Sequence, residues 1–300
     1  MKIASVCMNV TYNKNQNLET YLKYIDEVAE QGSNLVVFPE QSLQGYLGDL
    51  NAVDVSNSDT NEFDYQYKNA EIVPDGPSTQ RLIEKAREKN LYIVFGMTEK
   101  DQETDFKLYN TAVLIGPEGF VGKYRKVHQP GDELHIYYGG KTFPVFDTEI
   151  GKIGLLICYD KWFPETCREL TLGGADICIM PTATCYESEA HDIKTDYTYY
   201  TFELMDKVRA LENQTFFIAS NQYGQCGKSF YFGNSKIVAP TGKVVAETGQ
   251  SEGIAYYETE DLHKEIYDAK HRWGGLSFLK DRHPSYYTRI SEDHTYTNFN

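Results

Sequence analysis

The sequence predicts an α/β layered domain. Short apolar runs rich in β-branched residues recur along the chain, the pattern of buried strands. Stretches with helical spacing lie between them, and strands alternating with helices argue for layers. The 300 residues supply ample material for a core, as one large domain or two ordinary ones.

KIASVCMNV opens the chain as the first strand. A helix follows over 17–31, where Leu18, Leu22, Ile25 and Val28–Ala29 share one stripe and Gly32 ends the run. NLVVFPE at 34–40 is the next strand, and Pro77 with Ser78 starts a helix over 78–89. LYIVFGMTE at 91–99 and YNTAVLIGP at 109–117 are strands, and GFVGKYRKVHQP is a strand-like run ending in Tyr124-Arg125-Lys126. KIGLLICYD at 152–160 leads to a helix over 164–173, with Pro164 in its first turn and Gly173-Gly174 at its end. DICIMPTAT at 176–184 precedes the longest helical stretch, 196–213. QTFFIASNQYG at 214–224 is a strand, and SKIVAPTGKVVAET at 235–248 reads as a hairpin around Pro240-Thr241-Gly242. From about 261 this rhythm is lost. HKEIYDAKHRWGGLSFLKDRHPSYYTRI is aromatic and basic, a tail suited to docking. The expected organisation is a domain over 1–260 and a C-terminal extension over 261–300.

The formal charge of -15 argues against nucleic-acid binding, which wants a basic face. No stretch approaches the roughly 18 uninterrupted apolar residues of a membrane span. MKIASVCMNVTYNKN has no long apolar core, so no signal peptide is expected and a cytoplasmic protein is the default. The six cysteines are scattered, with no CxxC pair, which speaks against a disulfide framework. No Cys/His cluster has zinc spacing; Cys185 and His191 alone do not make a site.

Three segments share one design. An apolar run ends in Pro39-Glu40, another in Lys126 and a third in Cys158. Ligand sites of open α/β sheets gather beyond the carboxyl ends of strands, so a carboxylate, an ammonium and a thiol would meet in one cleft. The chemistry of that trio is coherent. A free thiol is mostly protonated at neutral pH and needs a base or a cation beside it. Glu40 would take the proton, and Lys126 would stabilise the thiolate and then the oxyanion of a tetrahedral intermediate. Glu40 would next activate water to cleave the thioester. Each residue also has a bland reading. An apolar-flanked cysteine taken alone is more often inert core, a Pro-Glu after a strand is usually a solvated loop, and Lys126 is a surface charge.

The flanking text decides. LVVFPE, GKYRKVH and CYDKWFPE resemble the three signature segments of the carbon–nitrogen hydrolase (nitrilase) superfamily, and the match continues through GADICIMPTAT, RALENQTFFIASNQYG and FYFGNSKIVAPTGKVVAE. The resemblance covers nearly the whole chain in the family's order. It implies a four-layer α-β-β-α sandwich and a Glu40–Lys126–Cys158 triad. It implies also a second, supporting glutamate, for which Glu133 is the candidate, with the Tyr159 N–H as a further oxyanion donor. Glu165, Arg168, Arg209 and Asn213 are read as structural. No cofactor or metal is needed for this thiol chemistry. The family further implies a homodimer or higher homo-oligomer, with the tail from 261 packing on a partner subunit.

Nitrilases proper usually follow the cysteine with Trp-Glu-Asn; Tyr-Asp-Lys-Trp-Phe-Pro-Glu looks like the amide and carbamoyl branch. The tail KHRWGGLSFLKDRHPSYY resembles the ending of N-carbamoylputrescine amidases and β-ureidopropionases. It departs in the added length at Gly274-Gly275-Leu276-Ser277 and in His283 where an arginine is usual. YFGNSKI is similar to aliphatic amidases. The expected substrate is a small linear amide or N-carbamoyl amine, with an ω-amidase or aliphatic amidase as the alternative within the class. Glu187, or less well Asp192, would hold a substrate ammonium, or else lies in a solvated loop. Tyr46, Tyr159, Trp162, Tyr186 and Tyr231 would line the substrate channel, or belong to core or interface. A non-catalytic interaction module and a redox switch using Cys158 and Cys167 are the competing classes. GQCGKS at 224–229 and GGKT at 139–142 fail as phosphate loops, because Gln222 and His135 stand where the first glycine belongs.

Overall fold

The structure, a computed structural model, describes residues 1–47, 62–104, 106–187 and 190–292. Its strands in chain order are β1 (Lys2–Asn9), β2 (Leu35–Val37), β3 (Tyr92–Lys100), β4 (Leu108–Gly116), β5 (Gly119–Arg125), β6 (Val145–Thr148), β7 (Gly151–Leu155), β8 (Ile177–Thr182), β9 (Phe216–Cys226), β10 (Ser229–Phe232), β11 (Lys236–Val238), β12 (Val244–Glu247) and β13 (Gly253–Glu258). The helices are α1 (Lys14–Glu30), α2 (Glu62–Asn69), α3 (Pro77–Lys89), α4 (Glu133–Ile136), α5 (Pro164–Leu172), α6 (Tyr197–Asn213) and α7 (Leu262–His271).

The strand order β5-β4-β3-β2-β1-β9-β8-β7-β6 folds into two sheets that meet where Met8 and Asn9 of β1 pair with Gln222 and Tyr223 of β9. Period-two alternation then assigns every side chain a layer. Val6, Val36, Phe38, Phe95 and Val113 face α1 and α3, burying Tyr21, Ile25, Val28 and Leu82 of those helices. The intervening residues Ile3, Leu35, Val37, Val94 and Leu114 face the other sheet, where Ile153, Leu155, Ile177, Ile179, Phe216 and Ile218 meet them. On the far side Cys178, Met180, Phe217 and Ala219 face α5 and α6. The result is the four-layer α-β-β-α sandwich. Two buried hydroxyls stitch the inner faces: Ser5 Oγ donates to Ala219 O at 2.8 Å and Ser220 Oγ to Val6 O at 2.6 Å.

Local chemistry explains where boundaries moved. The first helix starts at Lys14 rather than 17 because the Asn13 side chain caps it, accepting from Gln16 N at 3.1 Å. The run through Cys158 leaves strand geometry after Leu155, since Cys158 takes φ 46° and opens a 3-10 turn, Cys158–Trp162. The segment from 261 begins as α7, which Asp261 caps, and Leu262 and Ile266 of α7 enter the core between the sheets. Cys167 lies in the α5 layer with Cys178, in the cluster on the outer side of the second sheet. Among the described residues no helix is long and apolar enough to cross a membrane.

Candidate active site

Topology places the chemistry at one end of the sandwich. β2, β1, β9, β8 and β7 are mutually parallel, and β5 runs with β3 because β4 is antiparallel to both. The carboxyl ends of β2, β5, β7 and β8 therefore open on the same side. Glu40 follows β2 and is held by its backbone, Glu40 N donating to Thr182 O at 3.3 Å and Gln222 Nε2 donating to Glu40 O at 2.9 Å. Lys126 follows β5, its N–H on Asn110 O at 2.9 Å. Cys158 follows β7, and Glu133 opens the short helix α4.

Glu40, Lys126 and Glu133 are wholly buried. Lys126 Nζ donates to Glu40 Oε1 and to Glu133 Oε1, each at 2.7 Å. Asn110 Nδ2 donates to Glu40 Oε1 at 2.7 Å and to Glu133 Oε2 at 3.3 Å, and Tyr46 OH donates to Glu133 Oε1 at 2.6 Å. Two carboxylates thus share one ammonium and one amide. Among the described residues, Glu40 Oε2 is buried with no hydrogen-bond partner.

The electrostatics follow from this packing. Burial works against the Lys126 ammonium, but Glu133 and Glu40 outweigh it and raise its pKa. Burial, with Glu40 adding to it against the opposing pull of Lys126, pushes the Glu133 carboxyl up to about 7. Burial and then the Glu40 carboxylate push the Cys158 thiol up to about 12, although Lys126 pulls the other way. At neutral pH the Cys158 side chain is therefore a protonated thiol.

Cys158 is half-buried and opens onto a cavity of about 360 Å³. Tyr46, Tyr159, Trp162 and Glu187 line this cavity, as do Tyr186 and Phe202. Of the residues expected at the substrate, Tyr46, Tyr159, Trp162, Tyr186 and Glu187 share this cavity with Cys158. Tyr231 instead sits in a small buried cluster with Ala183 and Cys226, and His191 packs on Tyr186 and Phe230. Asp192 accepts from Lys194 N in its own turn. Cys158 Sγ lies 3.8 Å from Thr184 Oγ1, which shares a 2.7 Å hydrogen bond with Thr182 Oγ1.

With this geometry, the comparison with known proteins decides the family. Residues 2–262 match the family model of carbon-nitrogen hydrolases. The chain belongs to the carbon–nitrogen hydrolase family. It is 35% identical over 279 residues to a probable nitrilase of Schizosaccharomyces pombe, covering 91% of this chain and 92% of that protein. It is 30% identical over 271 residues to the omega-amidase of Homo sapiens, covering 86% and 88%. A carbon-nitrogen hydrolase structure from Helicobacter pylori superposes with a TM-score of 0.80 at 22% identity over 98% of both chains, a likeness of fold. As a carbon–nitrogen hydrolase, the chain is an enzyme acting on non-peptide C–N bonds.

Sequence reasoning passed over three residues of this site. Asn110 is a lone amide inside the strand run YNTAVLIGP, and a polar residue in such a run is itself a signal. Asp160 is fully buried in the turn that carries Cys158. Lys161 is buried in the cavity wall, where its Nζ reaches Asp206 Oδ1 at 3.1 Å and stands 3.8 Å from the centre of the Phe202 ring. Nothing in the local text of CYDKWFPE marks either residue as buried.

Proposed function

We propose that this enzyme is a cysteine-dependent amidohydrolase that cleaves a small linear amide or N-carbamoyl amine, N-carbamoylputrescine being the model substrate, through a thioester and with release of ammonia. The single observation that carries the reading is the free, buried Oε2 of Glu40, whose carboxylate acts on the protonated Cys158 thiol. One oxygen of Glu40 is saturated by Lys126 and Asn110, which leaves the other to take a proton.

In this mechanism Cys158 Sγ attacks the carbonyl or ureido carbon while its proton passes to Glu40. The oxyanion is met by the Lys126 ammonium and the Tyr159 N–H. Glu40 returns the proton to the leaving nitrogen, and ammonia departs. Glu40 then deprotonates water, which opens the thioester and restores the thiol. Glu133 and Asn110 act on Lys126 and Glu40, holding both in line. A ureido substrate yields a carbamic acid that loses carbon dioxide; a simple amide yields a carboxylic acid.

The cavity supports a linear substrate with a cationic end. Five aromatic side chains contribute to its walls, and Lys161 in them is neutralised by Asp206. Glu187 lies in the lining and, among the described residues, makes no ion pair. Ammonia release from N-carbamoylputrescine, N-carbamoyl-β-alanine, glutaramate, 5-aminopentanamide and propionamide tests this, with Cys158→Ala as control. Turnover of N-carbamoylputrescine alone supports the carbamoyl branch. Preference for glutaramate moves the enzyme to the ω-amidases, and full hydrolysis by Cys158→Ala would sink the triad.

We propose also that the enzyme is a homo-oligomer and that the part of the extension beyond α7 packs on a partner subunit. The support is apolar surface: Leu172 of α5 and Tyr197, Tyr200, Leu204 and Leu211 of α6 are exposed, as are Trp273, Leu276, Tyr286 and Ile290 of the extension. Light scattering on the purified chain reads the subunit number, and a monomer would reject the idea.

A further inference from the structure

One buried carboxylate touches both halves of the catalytic apparatus. Asp160 Oδ2 accepts from Ile157 N at 2.9 Å, and Asp160 N donates to Ile157 O at 3.0 Å, so the side chain and backbone of Asp160 close the turn on either side of Cys158. That turn holds Cys158 at φ 46°, a conformation that a side-chain-bearing residue keeps only where its surroundings over-determine it. The same carboxylate reaches the other strand end. Tyr124, two residues before Lys126, donates its OH to Asp160 Oδ2 at 2.8 Å and accepts from Val127 N at 3.2 Å. His128, two residues after Lys126, meets Asp160 Oδ1 through both its backbone N (3.1 Å) and its ring Nδ1 (2.7 Å).

The backbone of the lysine is therefore bracketed on both sides by contacts to the residue that shapes the nucleophile's turn. The His128 ring completes the connection by stacking face to face on Phe163, the residue that follows the turn, with centroids 3.8 Å apart and planes 10° apart. None of these groups lies in the lining of the substrate cavity.

We propose that Asp160 and His128 are a pair of positioning residues that set the Cys158 thiol against the Lys126 ammonium, with the His128 Nδ1–H donating to Asp160 as the adjustable contact. This rests on the reading of Cys158 as nucleophile and Lys126 as its cationic partner. Neither Asp160 nor His128 touches substrate. A misplacement of about 1 Å between reacting groups costs on the order of a hundredfold in rate, so a strut that fixes two strand ends acts on chemistry without contributing to binding.

The test uses the thiol's own reactivity, which needs no substrate. Iodoacetamide is applied at neutral pH to the full-length enzyme, His128→Ala and His128→Asn, with mass spectrometry locating the label among the six cysteines. His128→Ala is expected to slow alkylation of Cys158 about tenfold, and His128→Asn, whose amide can still donate to Asp160 Oδ1, to recover most of that rate. Thermal melts of all three proteins accompany the rates. Labelling of Cys158 in His128→Ala at the parent rate overturns the proposal, and so does an equal loss in both variants. Preferential labelling of another cysteine in the parent enzyme would instead reject Cys158 as the reactive thiol, a separate failure. Asp160→Asn is a poorer probe, because its amide NH2 would face donors and threaten the fold.

Discussion

Lys126 Nζ donates to Glu133 Oε1 at 2.7 Å, across a loop of seven residues that leaves β5 and returns through α4. This short, wholly buried contact joins two strongly perturbed groups. Burial holds the Glu133 carboxyl at about 7 against its ordinary 4.5. The folded enzyme thus binds this proton more tightly than the unfolded chain does. The stability it brings is complete below pH 4.5 and is lost as pH rises through 7. Glu133→Gln removes the titration, so the variant's melting temperature should decline less between those pH values than the parent's. Parallel curves in calorimetry across that window would contradict it.

In the proposed mechanism Glu40 has two opposed effects on Cys158: its charge raises the thiol's pKa, and its free oxygen would take the proton. Glu40→Gln should separate them. The thiol should titrate lower, since Lys126 remains and the carboxylate is gone. Turnover should nevertheless fall by about a hundredfold to ten-thousandfold, the usual worth of a general base. The pH profile of iodoacetamide labelling reads the first effect and steady-state ammonia release reads the second.

Asp206 neutralises a buried ammonium. Its Oδ1 accepts from Lys161 at 3.1 Å, and its Oδ2 lies 4.0 Å from Lys236, which also pairs with Glu203. Asp206→Ala leaves Lys161 buried without its partner carboxylate and should cost about 3–5 kcal/mol in urea unfolding. Asp206→Asn should cost less, because the amide oxygen still accepts.

Glu187 is exposed at the cavity, so its charge is largely screened. Glu187→Gln should raise KM for N-carbamoylputrescine only about twofold to fivefold, the range of an exposed ion pair, and leave propionamide unaffected. An equal rise for the neutral amide would remove Glu187 from substrate recognition.

Much of the scaffold was legible because its strands are buried on both faces and stand out as apolar runs. The runs before Glu40 and Cys158 are of this kind and end in a carboxylate and a thiol, while the ammonium of Lys126 follows β5, whose residues alternate between buried and partly exposed. What the text does not carry is partnership across the chain. Asn110 bonds to Glu40 across 70 residues and to Glu133 across 23, and neither distance leaves a local trace. Asp160 looks like any loop carboxylate until Tyr124 and His128 are seen to converge on it. Strands β6, β10 and β13 were passed over for a different reason. β6 and β10 are four residues each, and β13 is mostly half-buried, so their apolar content is diluted. The helix α7 was hidden in a stretch whose aromatic and basic composition drew attention away from Leu262 and Ile266.

The pairing of β1 has a consequence for how this protein comes into being. β1 lies between β2, β9 and β13, and its residues Lys2 to Cys7 pair with Glu258 to Gly253, while the Met1 amino group donates to Thr259 O at 2.7 Å. β1 therefore waits for a strand some 250 residues further along the chain. A ribosome-bound chain can dock α1 and β2, but the strand that joins the two sheets has an open edge until some 250 residues more have emerged. Such long-range pairing is intrinsically slow to form. Glu40 follows β2 of one sheet and Cys158 follows β7 of the other, so the two are not locked into a common frame until β9 has joined the sheets through β1.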